Sequence, residues 1–463
     1  MQKKQKRGFE MIESIKKFFK IEERGSSIKI ELVGGLTTFL TMAYILFVNP
    51  AIMGGIVTLE DGSSLQLVAG LDLQAVFLAT ALAAGLGTIA MGLWANLPIG
   101  LAPGMGLNAF FAFTIVVKMG YSWEEALAAV LISGVLYLIL SLTGLRAKVV
   151  ATIPQSLKFA IGAGIGFFIA YIGLVNVGII VQGQGTPTEL GDLTSPVALL
   201  ALFGLALTIV LLAFKVRAAI FFGLVGTALV GLIVGLFDVA GMPILPTFEG
   251  ALPSLAPTFG KAFAGIGGLL STAGGWFAIF AFLFVDFFDT SGTLMAVTGQ
   301  MENVTEEDLQ KANVVDSSAT VVGAILGTST TTSYIESLSG VGAGARTGLA
   351  SVLTGLLFIL SIFLAPLLSL VTAGVTAAAM IIVGTMMAAS IGKIEWDKWP
   401  IAIASFMTIL IMILTYSISD GIGFGFLTYI LVMVASKRYK EIHPLLYGVG
   451  AFFILYLVLL NVM

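Results

Sequence analysis

Apolar runs of roughly 17–25 residues follow one another along nearly the whole chain, and this spacing constrains the fold more than any single motif. Of the 463 residues, 58% are hydrophobic and only 11% are charged, whereas about a quarter of the residues of a soluble domain are charged. Because lipid cannot satisfy backbone polar groups, such runs must cross a membrane as helices. The sequence therefore predicts an all-α polytopic protein embedded in a lipid bilayer.

We expect fourteen transmembrane segments in the cytoplasmic (inner) membrane, with the N-terminus inside. Lysine and arginine concentrate in alternate connections, such as 1–30 and 437–440, and are absent from 51–73, which places the basic connections on the cytoplasmic side. The predicted segments lie near 31–50, 74–95, 100–117, 124–143, 158–181, 196–214, 219–237, 263–293, 312–327, 334–344, 345–367, 373–389, 400–417 and 421–436.

The two ends of the chain allow alternative interpretations. Residues 1–30 carry nine of the 23 Lys and Arg residues, and form either an amphipathic helix on the membrane surface, with Phe9 and Met11 on its apolar side, or a solvated basic tail. Residues 444–462 are apolar enough for a further span or for a helix that lies against the bundle. The side of the C-terminus therefore stays open.

The chain divides into two similar halves, 31–237 and 263–462, which the Gly/Pro-rich segment 238–262 joins. Seven spans in each half is an odd number, so the second half enters from the opposite side, as in the inverted repeats of many secondary transporters. The stretch that begins at Gly134 resembles the one that begins at Gly355, at an offset of 221 residues. The same offset pairs Asn108 with Ser329.

Several chemistries are excluded by residue counts. The chain has no cysteine and one histidine, His443 in a polar patch outside the predicted spans, so thiolate catalysis, cysteine-metal sites and a histidine proton relay are ruled out. No basic stripe suggests nucleic-acid binding. We expect neither an enzyme nor a bound cofactor or metal.

Two predicted spans are interrupted by helix-breaking or polar residues. Residues 98–113 contain Pro98, Pro103 and several glycines, and residues 327–340 contain eight Ser or Thr. Each segment predicts a short extended piece that leads into a half-helix near Met105 or Tyr334. Paired interrupted spans are the best sequence indication of a transporter binding site, because irregular backbone at membrane depth must face protein or a wet cavity.

Ionisable groups are rare in the spans. Asp286, Asp289, Asp316 and Glu336 are the ones near this centre, and a charge at that depth costs about 2.5 kcal/mol or more unless it is paired, hydrated or neutralised. Asp286 and Asp289 are three residues apart and share a helix face. These carboxyls predict ligand or proton binding; helix capping or local hydrogen bonding is the alternative, above all for Asp289 and Asp316.

Neutral residues near the interruptions are further candidates. Asn108 needs a partner when buried, and Phe110 offers a ring for stacking on a planar ligand. Thr38, on the first span, either contacts a ligand or bonds its own helix backbone. For Phe110 the alternative is ordinary packing.

Four motifs resemble those of the AzgA-like purine permeases of the nucleobase–cation symporter-2 superfamily. They are GLTTFLTMAYILFVNP at 35–50, APGMGLNAFF at 102–111, VDFFDTSG at 285–292 and TSYIES at 332–337. The likeness runs from about residue 20 to 440 and leaves out the basic N-terminal extension and the last apolar segment.

The resemblance implies fourteen spans as a 7+7 inverted repeat, with short strands in spans 3 and 10 and a core and a gate domain. The core domain then comprises residues 31–157 and 263–372. The gate domain comprises residues 158–237 and 373–463, which include the C-terminal apolar segment. Residues 1–30 form a basic cytoplasmic segment, and residues 238–262 form a linker. It also implies proton-coupled uptake of adenine, guanine or hypoxanthine. It further suggests a homodimer in which the gate domains of the two subunits pair.

Carried over by motif, the implied binding residues are Asn108, Asp286, Asp289 and Glu336, with Phe110, Thr290, Tyr334 and Ser337 nearby. We predict that Glu336 is the main purine anchor, and that Asp286 or Asp289 couples the proton, with Asp316 in reserve. A carboxylate accepts N–H bonds from the edge of a purine, and a protonated carboxyl donates to a ring nitrogen.

Three other functions deserve comparison. An ion channel would use the carboxylates as a selectivity ring, but the chain has internal duplication and few, unlike carboxyls. An intramembrane aspartyl hydrolase typically requires two carboxyls that face each other from different helices, whereas Asp286 and Asp289 share a face of one helix. A pyrimidine or anion carrier on the same fold is the nearest alternative, and an acidic site opposes anions.

Overall fold

The computed structural model describes residue 10 and residues 12–59, 63–143, 152–183, 185–237, 239–246, 253–302 and 304–462. Within them, nine helices are long and apolar enough to cross a membrane, and four apolar helices are shorter. The chain is thus a mostly helical polytopic membrane protein, as predicted, while the count of fourteen spans stays a prediction. Phe9 and Met11 lie outside the described residues.

The described part of the first half includes the following helices and short strands. In chain order they are α1 (Ile28–Met42), α2 (Ile45–Gly54), β1 (Ile56–Thr58), β2 (Ser64–Gln66), α3 (Leu73–Ala90), β3 (Leu101–Pro103), α4 (Met105–Ala109), α5 (Trp123–Thr143), α6 (Gln155–Asn176), β4 (Ile180–Val181), β5 (Glu189–Leu190), α7 (Pro196–Ala213) and α8 (Ala219–Gly235). Two π-helical turns extend α3 and α4, over Met91–Ala95 and Phe110–Lys118.

In the described part of the second half, a single strand lies among helices. They are α9 (Lys261–Leu270), α10 (Ala273–Thr298), α11 (Glu306–Leu326), β6 (Thr331–Ser333), α12 (Ser337–Gly342), α13 (Gly348–Leu360), α14 (Ala373–Ala388), α15 (Trp399–Leu414), α16 (Ile418–Ala435) and α17 (Pro444–Val462). Short 3-10 helices follow α13 and α14 and precede α17, at Ser361–Leu370, Ala389–Lys393 and Tyr439–Glu441.

The helices pack as two groups. Helices α6, α7, α8, α14, α15 and α16 pack mainly against one another, and α1–α5 pack mainly with α9–α13. Close contacts at glycines allow this packing: a Cβ added at Gly166 of α6 would lie 2.5 Å from the carbonyl oxygen of Gly384 of α14. The helices of the two groups come from the segments predicted for the gate and for the core, and the assignment of these two domains stays a prediction.

Gly134 and Gly355 occupy equivalent packing positions. A Cβ added at Gly134 of α5 would lie 2.8 Å from the Thr320 side chain of α11, and one added at Gly355 of α13 would lie 2.6 Å from the Gly85 carbonyl of α3. The fourth predicted span therefore packs on the ninth, and the eleventh on the second. This reciprocal arrangement is what an inverted repeat requires.

The two interrupted spans meet through their strands. β3 and β6 pair antiparallel, with Leu101 opposite Ser333 and Pro103 opposite Thr331. The first residues of the strands are 230 residues apart, so the offset of 221 residues is wrong for this part of the chain. Helix α4 begins at Met105 and α12 at Ser337, which makes Gly340, rather than Ser329, the counterpart of Asn108. Connections of different length in the two halves explain why the offset between equivalent residues changes along the chain.

The C-terminal helix α17 lies antiparallel to α16. Phe453 of α17 contacts Gly423 of α16: a Cβ added at Gly423 would lie 2.3 Å from the Phe453 ring. Gly450 of α17 contacts Ile430 of α16: a Cβ added at Gly450 would lie 2.6 Å from the Ile430 side chain. Phe453 also packs edge-to-face on Phe277 of α10, with ring centroids 5.2 Å apart. This helix therefore runs alongside the bundle over several turns.

Candidate functional site

The strands β3 and β6 place the backbone of both interrupted spans at one point inside the bundle. All six strand residues are buried, and Gly104 N–H and Tyr334 N–H extend the pairing by bonding to the carbonyls of Thr330 (2.8 Å) and Gly100 (2.9 Å). Proline and glycine prevent a continuous helix here, so the backbone groups are satisfied across the two halves of the chain.

A cavity of about 380 Å³ opens beside this point, and a narrower one of about 70 Å³ lies at its inner end. Asp289 and Glu336 line both, together with Thr293, Ile335, Val383 and Met387. The larger cavity extends to Gln155, Lys158, Ser390 and Lys393. Carboxylates therefore lie at one end and lysines at the other.

Glu336 lies between β6 and α12, where its side chain is half-buried. The Tyr44 hydroxyl donates a hydrogen bond of 2.8 Å to its Oε1 atom. Tyr44 is fully buried and also lines the narrower cavity. The first span thus contributes Tyr44 to the site, a residue that the sequence interpretation did not propose.

Asp289 and Asp286 take different positions although they are one helical turn apart. Asp289 is half-buried and faces the cavity. Asp286 is 1% exposed and accepts a bond of 3.1 Å from Thr320 of α11. Three residues of helix rotate the chain by about 300°, which leaves the two side chains about 60° apart. This angle directs them to different neighbours, so only Asp289 of the two lines the described cavities, and a joint role of the pair stays a prediction.

Asp316 lies behind the strand pair rather than in the cavity. It is fully buried, and its Oδ1 atom accepts bonds from the backbone N–H and hydroxyl of Ser333, at 2.7 and 2.6 Å. Thr290 donates to its Oδ2 atom at 2.6 Å and also lies 2.7 Å from the Thr332 hydroxyl. Asp316 and Thr290 therefore support β6 from the side away from the cavity.

Tyr334 and Ser337 also hold the interrupted spans together. The Tyr334 hydroxyl donates to the Pro103 carbonyl, and its ring lines the narrower cavity. The Ser337 hydroxyl accepts a bond of 3.0 Å from Gly100 N–H. Thr38 is buried against α12, where its hydroxyl would lie 2.1 Å from a Cβ added at Gly340.

Asn108 and Phe110 are fully buried and are not among the residues that line the two cavities. Phe110 packs edge-to-face on Phe282, with ring centroids 4.8 Å apart. Of the predicted site residues, the structure thus brings Asp289, Tyr334 and Glu336 to the cavity. It places the others in the packed shell around it.

Away from the lysines of the cavity, polar and aromatic contacts connect the two helix groups. Lys118, at the end of the π-helical turn after α4, lies 2.8 Å from the Asp420 carboxylate of α16 and donates to the Thr415 carbonyl at 2.9 Å. Tyr416 packs edge-to-face on Phe113 and Phe168, with ring centroids 5.7 and 5.2 Å away. Lys158 and Phe168 are ten residues apart on α6, about 15 Å along its axis, so these contacts lie well away from the lysine end of the cavity.

Comparisons with known proteins show a similarity to permeases. The model of a permease family, Xan_ur_permease, matches residues 29–424. The guanine/hypoxanthine permease PbuG of Bacillus subtilis is 49% identical over 450 residues, which cover 96% of this chain and 100% of the relative. The adenine permease AdeQ of Escherichia coli is 38% identical over 452 residues, 97% of each chain.

Among solved structures, the transmembrane domain of the cyanobacterial bicarbonate transporter BicA aligns with a TM-score of 0.58. The alignment covers 86% of this chain and 96% of that one. The sequence identity is 15%, so this likeness supports the fold alone.

Proposed function

The chain belongs to this permease family, and from that membership we propose that it is a secondary transporter of purine nucleobases. The observation that carries the proposal is the position of Glu336 and Asp289, two half-buried carboxyls on one cavity beside the paired strands. Intramembrane carboxyls are costly and are kept mainly on substrate and ion pathways. The names of two relatives include guanine and hypoxanthine or adenine, which supports a purine as the substrate.

The lining of the cavity suits a flat, neutral base. Ile335, Val383 and Met387 provide apolar walls, against which a planar ring buries its faces. Glu336 and Asp289 provide acceptors for the N–H groups on the edge of the ring. Two carboxyls oppose an anion at the same place, which argues against an anion carrier.

We propose that Glu336 is the anchor and that uptake is coupled to protons through Asp289. Asp286 and Asp316 are engaged by threonine and serine groups behind the cavity, whereas Asp289 faces the space that water and substrate enter. Because a protonated carboxyl is neutral, its protonation lowers the cost of moving a loaded site across the membrane.

Transport would follow by alternating access between the two helix groups. Following the positive-inside rule, we assign the end with Lys158 and Lys393 to the cytoplasm. We infer from this an inward-facing state, with the Lys118–Asp420 pair on the outer side. Movement of the gate group against the core would open that side. The fourteen spans, the N-terminus inside, the inner-membrane location and a homodimer belong to the same proposal.

A transport assay with purified protein in proteoliposomes tests this function. Uptake of labelled hypoxanthine should saturate, should be driven by an inwardly directed proton gradient, and should be competed by purines and not by uracil or bicarbonate. Uptake without saturation, or competition by uracil equal to that by guanine, would contradict the proposal.

A further inference from the structure

We propose that Tyr44 of the first span is a positioning residue that holds the Glu336 carboxylate in its binding orientation. This inference deepens the proposed function and rests on it. The geometry that carries it is the hydrogen bond of 2.8 Å from the Tyr44 hydroxyl to Glu336 Oε1.

The backbone of the first span explains how Tyr44 reaches the site. Helix α1 ends at Met42 and α2 begins at Ile45, so Tyr44 lies in the break between them. Pro50 has no N–H to bond the carbonyl of Leu46, and its ring disfavours straight helix one turn before it. This interruption lies near the middle of the span and allows the tyrosine to face the paired strands.

The ring of Tyr44 is held firmly enough to act as a fixed reference. It is 0% exposed, and α1 is fixed to α12 by the contact of Thr41 Oγ1 with Ser339 Oγ at 2.9 Å. A buried aromatic ring has little freedom to move in a close-packed interior. The hydroxyl therefore has a defined position relative to Glu336.

Glu336 by contrast depends on this bond for its orientation. Within the described residues, Tyr44 is the one side chain that donates a hydrogen bond to the Glu336 carboxylate. A glutamate side chain has several rotatable bonds, and ordering it on binding costs free energy that a preformed bond removes. The bond from Tyr44 leaves acceptor sites on the carboxylate for a substrate N–H.

Tyr44→Phe removes only the hydroxyl and so tests this role. Loss of one hydrogen bond to a charged group corresponds to about a tenfold change in affinity. We expect the KM for hypoxanthine uptake to rise about tenfold, with the maximal rate within twofold of wild type. A merely structural role would lower the amount of folded transporter, and hence the maximal rate, and would leave KM unchanged.

Tyr121→Phe is the matched control, because the Tyr121 hydroxyl bonds to that of Thr272, 2.5 Å away, and Tyr121 is not among the residues lining either cavity. It should keep the wild-type KM. An unchanged KM in Tyr44→Phe, with wild-type uptake intact, overturns the role of Tyr44. Absence of purine uptake by the wild-type protein overturns the proposed function instead. Thermal unfolding of each variant in detergent shows that the fold is kept.

Discussion

Arg24 and Asp308 form an ion pair of 3.0 Å whose side chains are only 8% and 16% exposed. The same guanidinium donates to the Asn96 carbonyl at 2.7 Å, and Asn96 in turn donates to the Phe19 carbonyl at 2.9 Å. The segment before the first span is therefore fastened to the ends of α3 and α11. Neither a surface helix nor a solvated tail describes residues 19–24.

Arg24→Ala should destabilise the protein by about 3 kcal/mol, because it leaves a largely buried carboxylate without its partner. The measurement is thermal unfolding in detergent, where the midpoint should fall by several degrees. Lys16→Ala is the control, since Lys16 pairs with Glu13 and Glu22 in an exposed cluster whose loss costs at most about 1 kcal/mol. Equal midpoints for the two variants would contradict this account.

Asp420→Asn should favour opening of the outer side, because it weakens the ion pair with Lys118. The backbone N–H at this position keeps its hydrogen bond to Ser417, so the start of α16 stays in place. The natural chain has no cysteine, so Ser291→Cys places a single thiol on the cavity. Labelling of that thiol by an impermeant reagent from outside should rise about two- to fivefold.

The control for that experiment is Glu441→Gln, which weakens an exposed pair with Arg438 away from the Lys118–Asp420 pair. It should leave the labelling rate unchanged. A rate in Asp420→Asn no higher than in this control would show that the pair does not hold the outer side shut.

Glu336→Ala should abolish measurable purine binding, because it removes the anchor while leaving the cavity walls in place. Equilibrium binding of labelled hypoxanthine to the purified variant is the measurement. Glu189→Ala, in the exposed strand β5, should bind as the wild type does. Binding by Glu336→Ala that matches this control would refute the anchor role.

Asp289→Asn should flatten the pH dependence of uptake, since an amide neither gains nor releases a proton. Uptake measured across pH for Asp289→Asn, Asp286→Asn and Asp316→Asn compares the three candidates directly. We expect the profile to change most for Asp289, which faces the cavity. If only Asp286→Asn or Asp316→Asn alters the pH profile, that buried carboxyl, and not Asp289, couples the proton.

The interrupted spans were predictable because their signals are local. Pro98, Pro103 and the Ser/Thr run before Tyr334 oppose helix wherever they occur in a chain, and both predicted strands are present. The cost of a carboxyl in an apolar span indicated Asp286 and Asp316 as much as Asp289 and Glu336, and the structure brings only the last two to the cavity.

The contacts between distant residues were not predictable in this way. Tyr44 and Glu336 are 292 residues apart, and a tyrosine in an apolar span carries no sign that distinguishes packing from hydrogen bonding. The separation of Asp286 from Asp289 depends on which neighbour each side chain meets. Helical spacing gives the angle between them and not the position of α11.

The pairing of β3 with β6 also orders events during synthesis. The backbone groups of Leu101–Pro103 find their partners in Thr331–Ser333, which leave the ribosome after more than two hundred further residues. Until then the third span has unpaired peptide groups that lipid cannot satisfy. A nascent chain that stops before β6 should therefore remain dependent on the insertion machinery, and the site forms only as the last third of the protein enters the membrane.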